Sequence, residues 1–364
     1  MSLVVAKKEK NRIYIVSDTK LTYPVEIFPE KKLSSPKEGI IKSTITNPHI
    51  CISFAGETEG VDDLIKKCRV FKDELDKIKK TIFQFHKAKN AKTEFILCVT
   101  HYPFYAIYEI KNLQCKETSS SWIGDDNGFN EFQKYWHDLK VSQPNQDTQY
   151  IMEKALESVI ESNIALSVNG FVISLSNEKN YFEYKSYISA YMPGRVLTSR
   201  ISVLTYGTAQ EGGYNVHIFP SNRDSSVLAI HIQQGNFGII YHAKNNDLLR
   251  PEIISDVDEF EFAEITKLKY DVVPIGATCS QQKSYFERGN KAFERKDYNL
   301  ALEYYERGIS AKESALLAIL NYNKGIALFY LGRHSESMQA FYNAVKLDNS
   351  FHNKVVQFMQ YRKK

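Results

Sequence analysis

A serine at position 2 can place two reactive groups on one residue. If Met1 is removed, which a small second residue favours, Ser2 presents a hydroxyl and a free α-amine. That amine has a reference pKa of about 8, low enough for it to act as a base near neutral pH. A neighbouring ammonium lowers it further by like-charge repulsion. Lys42 can supply that charge, and Asp18 can hold Lys42. The hydroxyl is then activated by its own amine, directly or through a water. A backbone N–H at Gly56, at the end of an apolar run, can stabilise the oxyanion. Each residue also has a plain structural role open to it. Ser is common at position 2, Asp18 can cap the turn after a strand, Lys42 can be a solvated strand-edge lysine, and Gly56 can simply permit a tight turn.

Placing these residues requires sheets. Ser2-Leu3-Val4-Val5-Ala6 is apolar and β-prone, Lys7 to Asn11 is polar, and Ile13-Tyr14-Ile15-Val16 is apolar again before Ser17-Asp18-Thr19. Two such runs around a short polar break predict a β-hairpin that holds the chain start inside the fold. Tyr23 to Glu38 carries three prolines and reads as a loop. Residues 39–45 and 50–56 are strand candidates. From Val61 to Phe85 the apolar residues change to a helical period, a stripe of about seven turns broken near Arg69. Residues 95–99 and 105–110 form another strand pair, and Trp122 to Gly128 is a strand entering a Gly/Asp turn. Two amphipathic helices follow, one through Phe129 and Leu139 and one through Ile151 and Ile160. From Ser167 to about Tyr270 the pattern is β again, with a hairpin turn at Gln233–Asn236 and a last strand over Phe260 to Ile265. The order reads β-β-β-αα-β-β-β-αα-β, which predicts two packed sheets between helix layers.

Residues 273–282 change character and read as a linker, dividing a domain of residues 1–272 from a helical one of residues 283–364. In the latter, Gly289 is followed by Ala292-Phe293, Ala301, Tyr305 and Gly308. Gly325, 36 residues on, is followed by Leu328-Phe329, Ser337, Phe341 and Ala344. Small and large residues at fixed offsets let antiparallel helices interlock. This closely resembles the tetratricopeptide repeat, without the proline that usually ends one. The resemblance implies a short array that either captures a peptide or helix, or docks on a neighbouring surface.

Composition narrows the classes. A net charge of +4 without a basic block argues against nucleic acid. No run approaches the ~18 apolar residues of a membrane span. Five cysteines, odd in number and with no C-x-x-C pair, read as free thiols of a cytoplasmic protein. His101, His217, His231 and His242 lie on strand candidates without metal-ligand spacing. Neither a metal nor a cofactor is expected.

Together, Ser2 to Ala6, the Ile15-Val16-Ser17-Asp18 strand end, Lys42, and Ser53-Phe54-Ala55-Gly56 before a helix resemble the proteasome-type N-terminal-nucleophile hydrolases. The bacterial proteasome-like peptidase subunits are most similar. The resemblance covers roughly residues 2 to 175 and implies a four-layer αββα sandwich. It also implies a Ser2 nucleophile, with Asp18, Lys42 and Gly56 in the family's Asp, Lys and oxyanion-glycine roles. A β segment of residues 180–270 exceeds the family's length. Two departures stand out. Asp125, in Trp122-Ile123-Gly124-Asp125, stands where the family has a Ser beside the nucleophile; by pairing with the α-ammonium it would raise the amine's pKa. The late Asp-x-x-Ser-Gly segment lacks its Asp, with Ser167-Val168-Asn169-Gly170 as one match and Gly212-Gly213 as a rival. The expectation is therefore an amidohydrolase, a peptidase acting on peptide or protein. It would be homo-oligomeric through its helix layers, with repeats that dock a substrate or protein partner. The alternative is a non-catalytic scaffold of the same fold that binds a protein partner through the repeats.

Overall fold

The structure, a computed structural model, describes residues 2–19, 40–100, 104–162, 164–165, 167–178, 180–185, 187–189, 194–197, 202–205, 216–221, 224–232, 237–242, 251–255, 257–271, 281–311 and 313–361. The proline loop of Tyr23 to Glu38, the Gln233–Asn236 turn, Gly212-Gly213, His101 and residues 273–280 of the linker lie outside them. The chain separates into two units, Met1–Ile275 and Gly276–Lys364.

In the first unit, β1 (Leu3–Glu9) and β2 (Arg12–Ser17) pair antiparallel from Val4↔Ser17 to Glu9↔Arg12. Leu3 to Ala6 and Ile13 to Val16 are all buried. These apolar runs are continuous because both faces of the hairpin are covered. Next come β3 (Ser43–Asn47), β4 (Ile50–Gly56), α1 (Val61–Val70) and α2 (Leu75–Ala88). The helical stripe breaks at residues 71–74, later than expected near Arg69, where Lys72 adopts φ 49°. Then follow β5 (Thr93–Val99), β6 (Ala106–Lys111), β7 (Gln114–Thr118), β8 (Ser120–Gly124), α3 (Asp126–Ser142), α4 (Thr148–Ser162), β9 (Ile173–Ser176) and β10 (Glu183–Tyr184). Four strands precede each helix pair: the hairpin and the two candidates at 39–45 and 50–56 before the first, and one more than the three expected before the second. β3 and β4 are separate arms of one hairpin. β7 reads Gln-Cys-Lys-Glu-Thr at a sheet edge and carries no apolar pattern to reveal it.

These strands make two five-stranded antiparallel sheets, β10-β9-β2-β1-β8 and β3-β4-β5-β6-β7. Alternation along β4 and β5 divides the second sheet between two cores. Ile50, Ile52, Phe54, Phe95 and Leu97 pack with α1 and α2. Cys51, Ala55, Ile96 and Cys98 point the other way, into a core shared with β1 and β2. Strands β1 and β8 pack against β4, and α4 packs on β2 and β9.

The β segment beyond residue 185 builds a third sheet. Its elements are β11 (Tyr187–Ser189), β12 (Gly194–Leu197), β13 (Ser202–Thr205), β14 (Val216–Pro220), β15 (Val227–Ile232), β16 (Phe237–His242), β17 (Glu252–Ser255) and α5 (Glu259–Tyr270). The sheet order is β11-β14-β15-β16-β17, and β12 pairs with β13 alone. The strand expected over Phe260 to Ile265 is instead the helix α5. Asp258 caps it by accepting the Glu261 N–H at 2.9 Å, and that cap outweighs the brief Phe260/Phe262 alternation.

The second unit is helical: α6 (Gln281–Glu294), α7 (Tyr298–Ser310), α8 (Leu317–Tyr330), α9 (His334–Leu347) and α10 (Phe351–Tyr361). Consecutive helices pack as neighbours. A Cβ on Gly289 would lie 2.4 Å from Tyr305 Cε1, and one on Gly325 would lie 2.6 Å from Phe341 Cδ1. The same small-to-aromatic contact thus recurs at the same spacing in both helix pairs. The described protein is mixed α+β, and among its described residues no helix is long and apolar enough to cross a membrane.

Candidate active site

The start of β1 lies in the middle of a sheet, between β2 and β8. Ser2 retains 2% of its surface. Its carbonyl accepts the Asp125 N–H at 2.8 Å. That approach requires Gly124, because a Cβ there would sit 1.8 Å from the Ser2 carbonyl oxygen, and the residue adopts φ 107°. Glu94 completes the turn by accepting the Gly124 N–H at 3.1 Å.

Asp18 is fully buried where β2 ends. One carboxylate oxygen accepts the Leu3 N–H at 3.0 Å and the other accepts the Asn169 N–H at 3.3 Å. Next to it, Thr19 Oγ1 accepts the Phe171 N–H at 3.0 Å and the Thr19 carbonyl accepts the Ile40 N–H at 2.9 Å. Thr19 therefore joins the segment that carries Asn169 to the one that leads into Lys42.

Lys42 is 3% exposed, just before β3. Its ammonium lies 5.8 Å from the Phe54 ring centroid. Burial pushes its pKa down to about 8, and the negative charge of Asp18 opposes that shift. Desolvation disfavours the charged form more strongly than the one nearby carboxylate restores it.

The Lys42 carbonyl accepts the Phe54 N–H at 2.9 Å. Strand alternation then aims the Gly56 N–H toward the same edge of β4, two residues further on and beyond the first residue of β3. Gly56 adopts φ 109°, and a Cβ on it would lie 2.1 Å from the Lys92 carbonyl oxygen. Its neighbour Ala55 places its Cβ 3.2 Å from the point where Gly124 would carry one. Ser2 is thus joined to Asp125 through its carbonyl, Asp18 reaches the Leu3 N–H beside Ser2, Lys42 feels the Asp18 charge, and Gly56 lies one residue beyond Ala55.

Asp125 is the N-cap of α3. One of its oxygens accepts the Gly128 N–H at 2.8 Å, and the Ser167 hydroxyl donates to the other. The Ser167-Val168-Asn169-Gly170 segment therefore does reach the site, through Ser167 on Asp125 and the Asn169 N–H on Asp18. The role of Asn169 was not legible in the sequence, since a backbone donor carries no side-chain signal. Thr19 and Glu94 were also missed, being single polar residues outside any motif. Among the described residues, no three His, Cys, Asp or Glu side chains group to hold a metal.

A cavity of about 540 Å³ lies at the opposite end of β4 and β5, lined by Ile50, Val99, Ala106 and Leu75, and is separate from these residues. In the helical unit, a cavity of about 190 Å³ is lined by Asn290, Phe293, Tyr305, Asn323 and Ile326. There Asn290 Oδ1 accepts from both the Tyr305 hydroxyl and Asn323 Nδ2, each at 2.9 Å. Comparison with protein-family models and with curated proteins finds no match to this chain.

Proposed function

We propose that the chain is an N-terminal-nucleophile amidohydrolase, a peptidase with a four-layer αββα sandwich of the proteasome-like kind and C-terminal tetratricopeptide repeats. The observation that carries this reading is the buried Asp18, which accepts the Leu3 N–H beside Ser2 and acts on a buried Lys42 whose pKa falls to about 8. In this reading Met1 is removed. Ser2 Oγ attacks the scissile carbonyl while its proton passes to the α-amine, directly or through water. The Gly56 N–H stabilises the oxyanion. The tetrahedral adduct collapses by breaking the C–N bond, and the leaving amine takes the proton. Water then hydrolyses the Ser2 ester by the reverse use of the same base. Lys42, held by Asp18, keeps the α-amine partly unprotonated through like-charge repulsion. Asp125 is taken up by the helix cap and Ser167, so its carboxylate acts first as a structural acceptor and only secondarily on the amine.

The subunits assemble as a homo-oligomer through their helix layers, and the repeats dock a peptide or protein partner beside the Asn290–Asn323 pair. A mixture of unstructured peptides incubated with the full chain tests the reading by mass spectrometry. Cleavage that disappears in Ser2→Ala supports it, and cleavage that persists in Ser2→Ala, or is absent from the wild type, overturns it. The second reading, a non-catalytic scaffold, is favoured by one observation: Ser2 is 98% covered. An intact mass that retains Met1 would select it.

A further inference from the structure

His86 lies near the end of α2, fully buried and outside the proposed catalytic set. Its imidazole makes two directional contacts. Nδ1 lies 2.6 Å from the Thr93 carbonyl oxygen, and Nε2 lies 3.1 Å from the Leu113 backbone nitrogen. The Leu113 N–H can only donate and the Thr93 carbonyl can only accept. These partners match the tautomer that carries its proton on Nδ1 and accepts at Nε2.

Thr93 is the first residue of β5 and stands opposite Gly56 in the β4–β5 pairing. Its hydroxyl donates to the Glu57 carbonyl at 2.7 Å. The Glu57 N–H donates to the Lys92 carbonyl at 3.2 Å, and that same carbonyl oxygen lies 2.1 Å from where a Cβ on Gly56 would sit. The Gly56–Glu57 turn is thus held from one side by Lys92 and Thr93. The segment leading into them is a tight turn with Asn90 and Ala91 at φ 51° and 60°. The imidazole fixes that segment where it enters β5.

We infer that His86 is a positioning residue for the Gly56 N–H, acting through Thr93. The inference rests on the proposed role of Gly56 as oxyanion donor and goes beyond it by naming what sets the donor's place. A donor displaced by a fraction of an ångström loses much of its effect on the oxyanion while substrate binding is spared.

Two substitutions separate the contacts. His86→Asn keeps a donor near the Nδ1 position and loses the Leu113 acceptor. His86→Gln keeps an acceptor near the Nε2 position and loses the Thr93 donor. The probe is a peptide β-lactone, whose ring C–O bond breaks as Ser2 Oγ forms an ester. Labelling rates are read by intact mass at several probe concentrations, in the full chain, with Tm measured in parallel. The expected result is a maximal labelling rate within about threefold of wild type for His86→Asn and at least tenfold lower for His86→Gln. The half-saturating concentration should be little changed in both. Equal maximal rates in the two variants, or rates that simply follow Tm, overturn the positioning role. A wild type that is not labelled at Ser2 overturns the peptidase reading and this inference with it.

Discussion

Leu3 and Asp18 face each other one step beyond the Val4↔Ser17 pair, and a carboxylate has taken the place of a carbonyl between them. The Asp18 N–H donates to the Leu3 carbonyl at 3.2 Å, as in any antiparallel pair. The Leu3 N–H, however, donates at 3.0 Å to the Asp18 side chain. The hairpin therefore ends by bringing a buried anion up to the residue after Ser2. Asp18→Asn keeps an acceptor for Leu3 but removes the charge opposite Lys42. It should destabilise the protein by about 3 kcal/mol at pH 7, because a buried ammonium is left uncompensated. A urea titration checks this, and the loss should shrink at pH 9.5, where Lys42 is mostly neutral.

Lys42 itself makes stability pH-dependent. Its folded-state pKa of about 8 lies below the ordinary 10.5. Between those values the unfolded chain binds more protons than the folded one, so stability rises with pH across that window. The gain from this group is about 3 kcal/mol. Below pH 8 both states are protonated and the penalty is present in full. Thermal melts from pH 7.5 to 10.5 should show this rise in the wild type relative to Lys42→Met, in which the other titrating groups cancel. Parallel curves for the two proteins would contradict it.

Much of this arrangement was legible in sequence because the apolar runs around Ser2, Asp18 and Gly56 are long and bounded by turns. The β1–β2 hairpin, the two helix pairs and the Gly289/Gly325 spacing all follow from periodicity. What escaped did so for physical reasons. β7 is a polar edge strand, and α5 begins with an alternating Phe-x-Phe that imitates a strand. The backbone donors of Asn169 and Asp125 have no side-chain signature. His86 stands in no motif, and only the fold brings Thr93 and Leu113 to its two nitrogens.

Asp125 should behave as a helix cap with a charge to spare. Asp125→Ala removes the acceptor of the Gly128 N–H and leaves Ser167 without its partner, at a cost of about 1–2 kcal/mol. Asp125→Ser retains a capping oxygen and should cost only a few tenths of a kcal/mol. If its charge also acts on the Ser2 amine, Asp125→Ser should raise hydrolysis at neutral pH. Denaturant midpoints and peptide hydrolysis on both variants separate the two effects.

In the helical unit, Gly289→Ala forces a Cβ into the Tyr305 ring. Overpacking of this kind costs about 1–3 kcal/mol, against which alanine returns about 1 kcal/mol of helix propensity. Amide exchange should therefore accelerate over α6 and α7, and Tyr305→Leu in the same chain should restore protection by making room. Unchanged exchange in Gly289→Ala would show that the interlock is not close-packed.

The central claim is that one residue supplies both the nucleophile and its base. A peptide epoxyketone tests it directly, because a stable ring adduct needs the Ser2 hydroxyl to add to the ketone and the Ser2 amine to open the epoxide. Mass mapping of the treated full-length chain should find the whole reagent on Ser2 through both oxygen and nitrogen, with Met1 absent, and no adduct on Ser2→Ala. An unmodified protein, or an adduct formed while Met1 is still attached, would contradict the account.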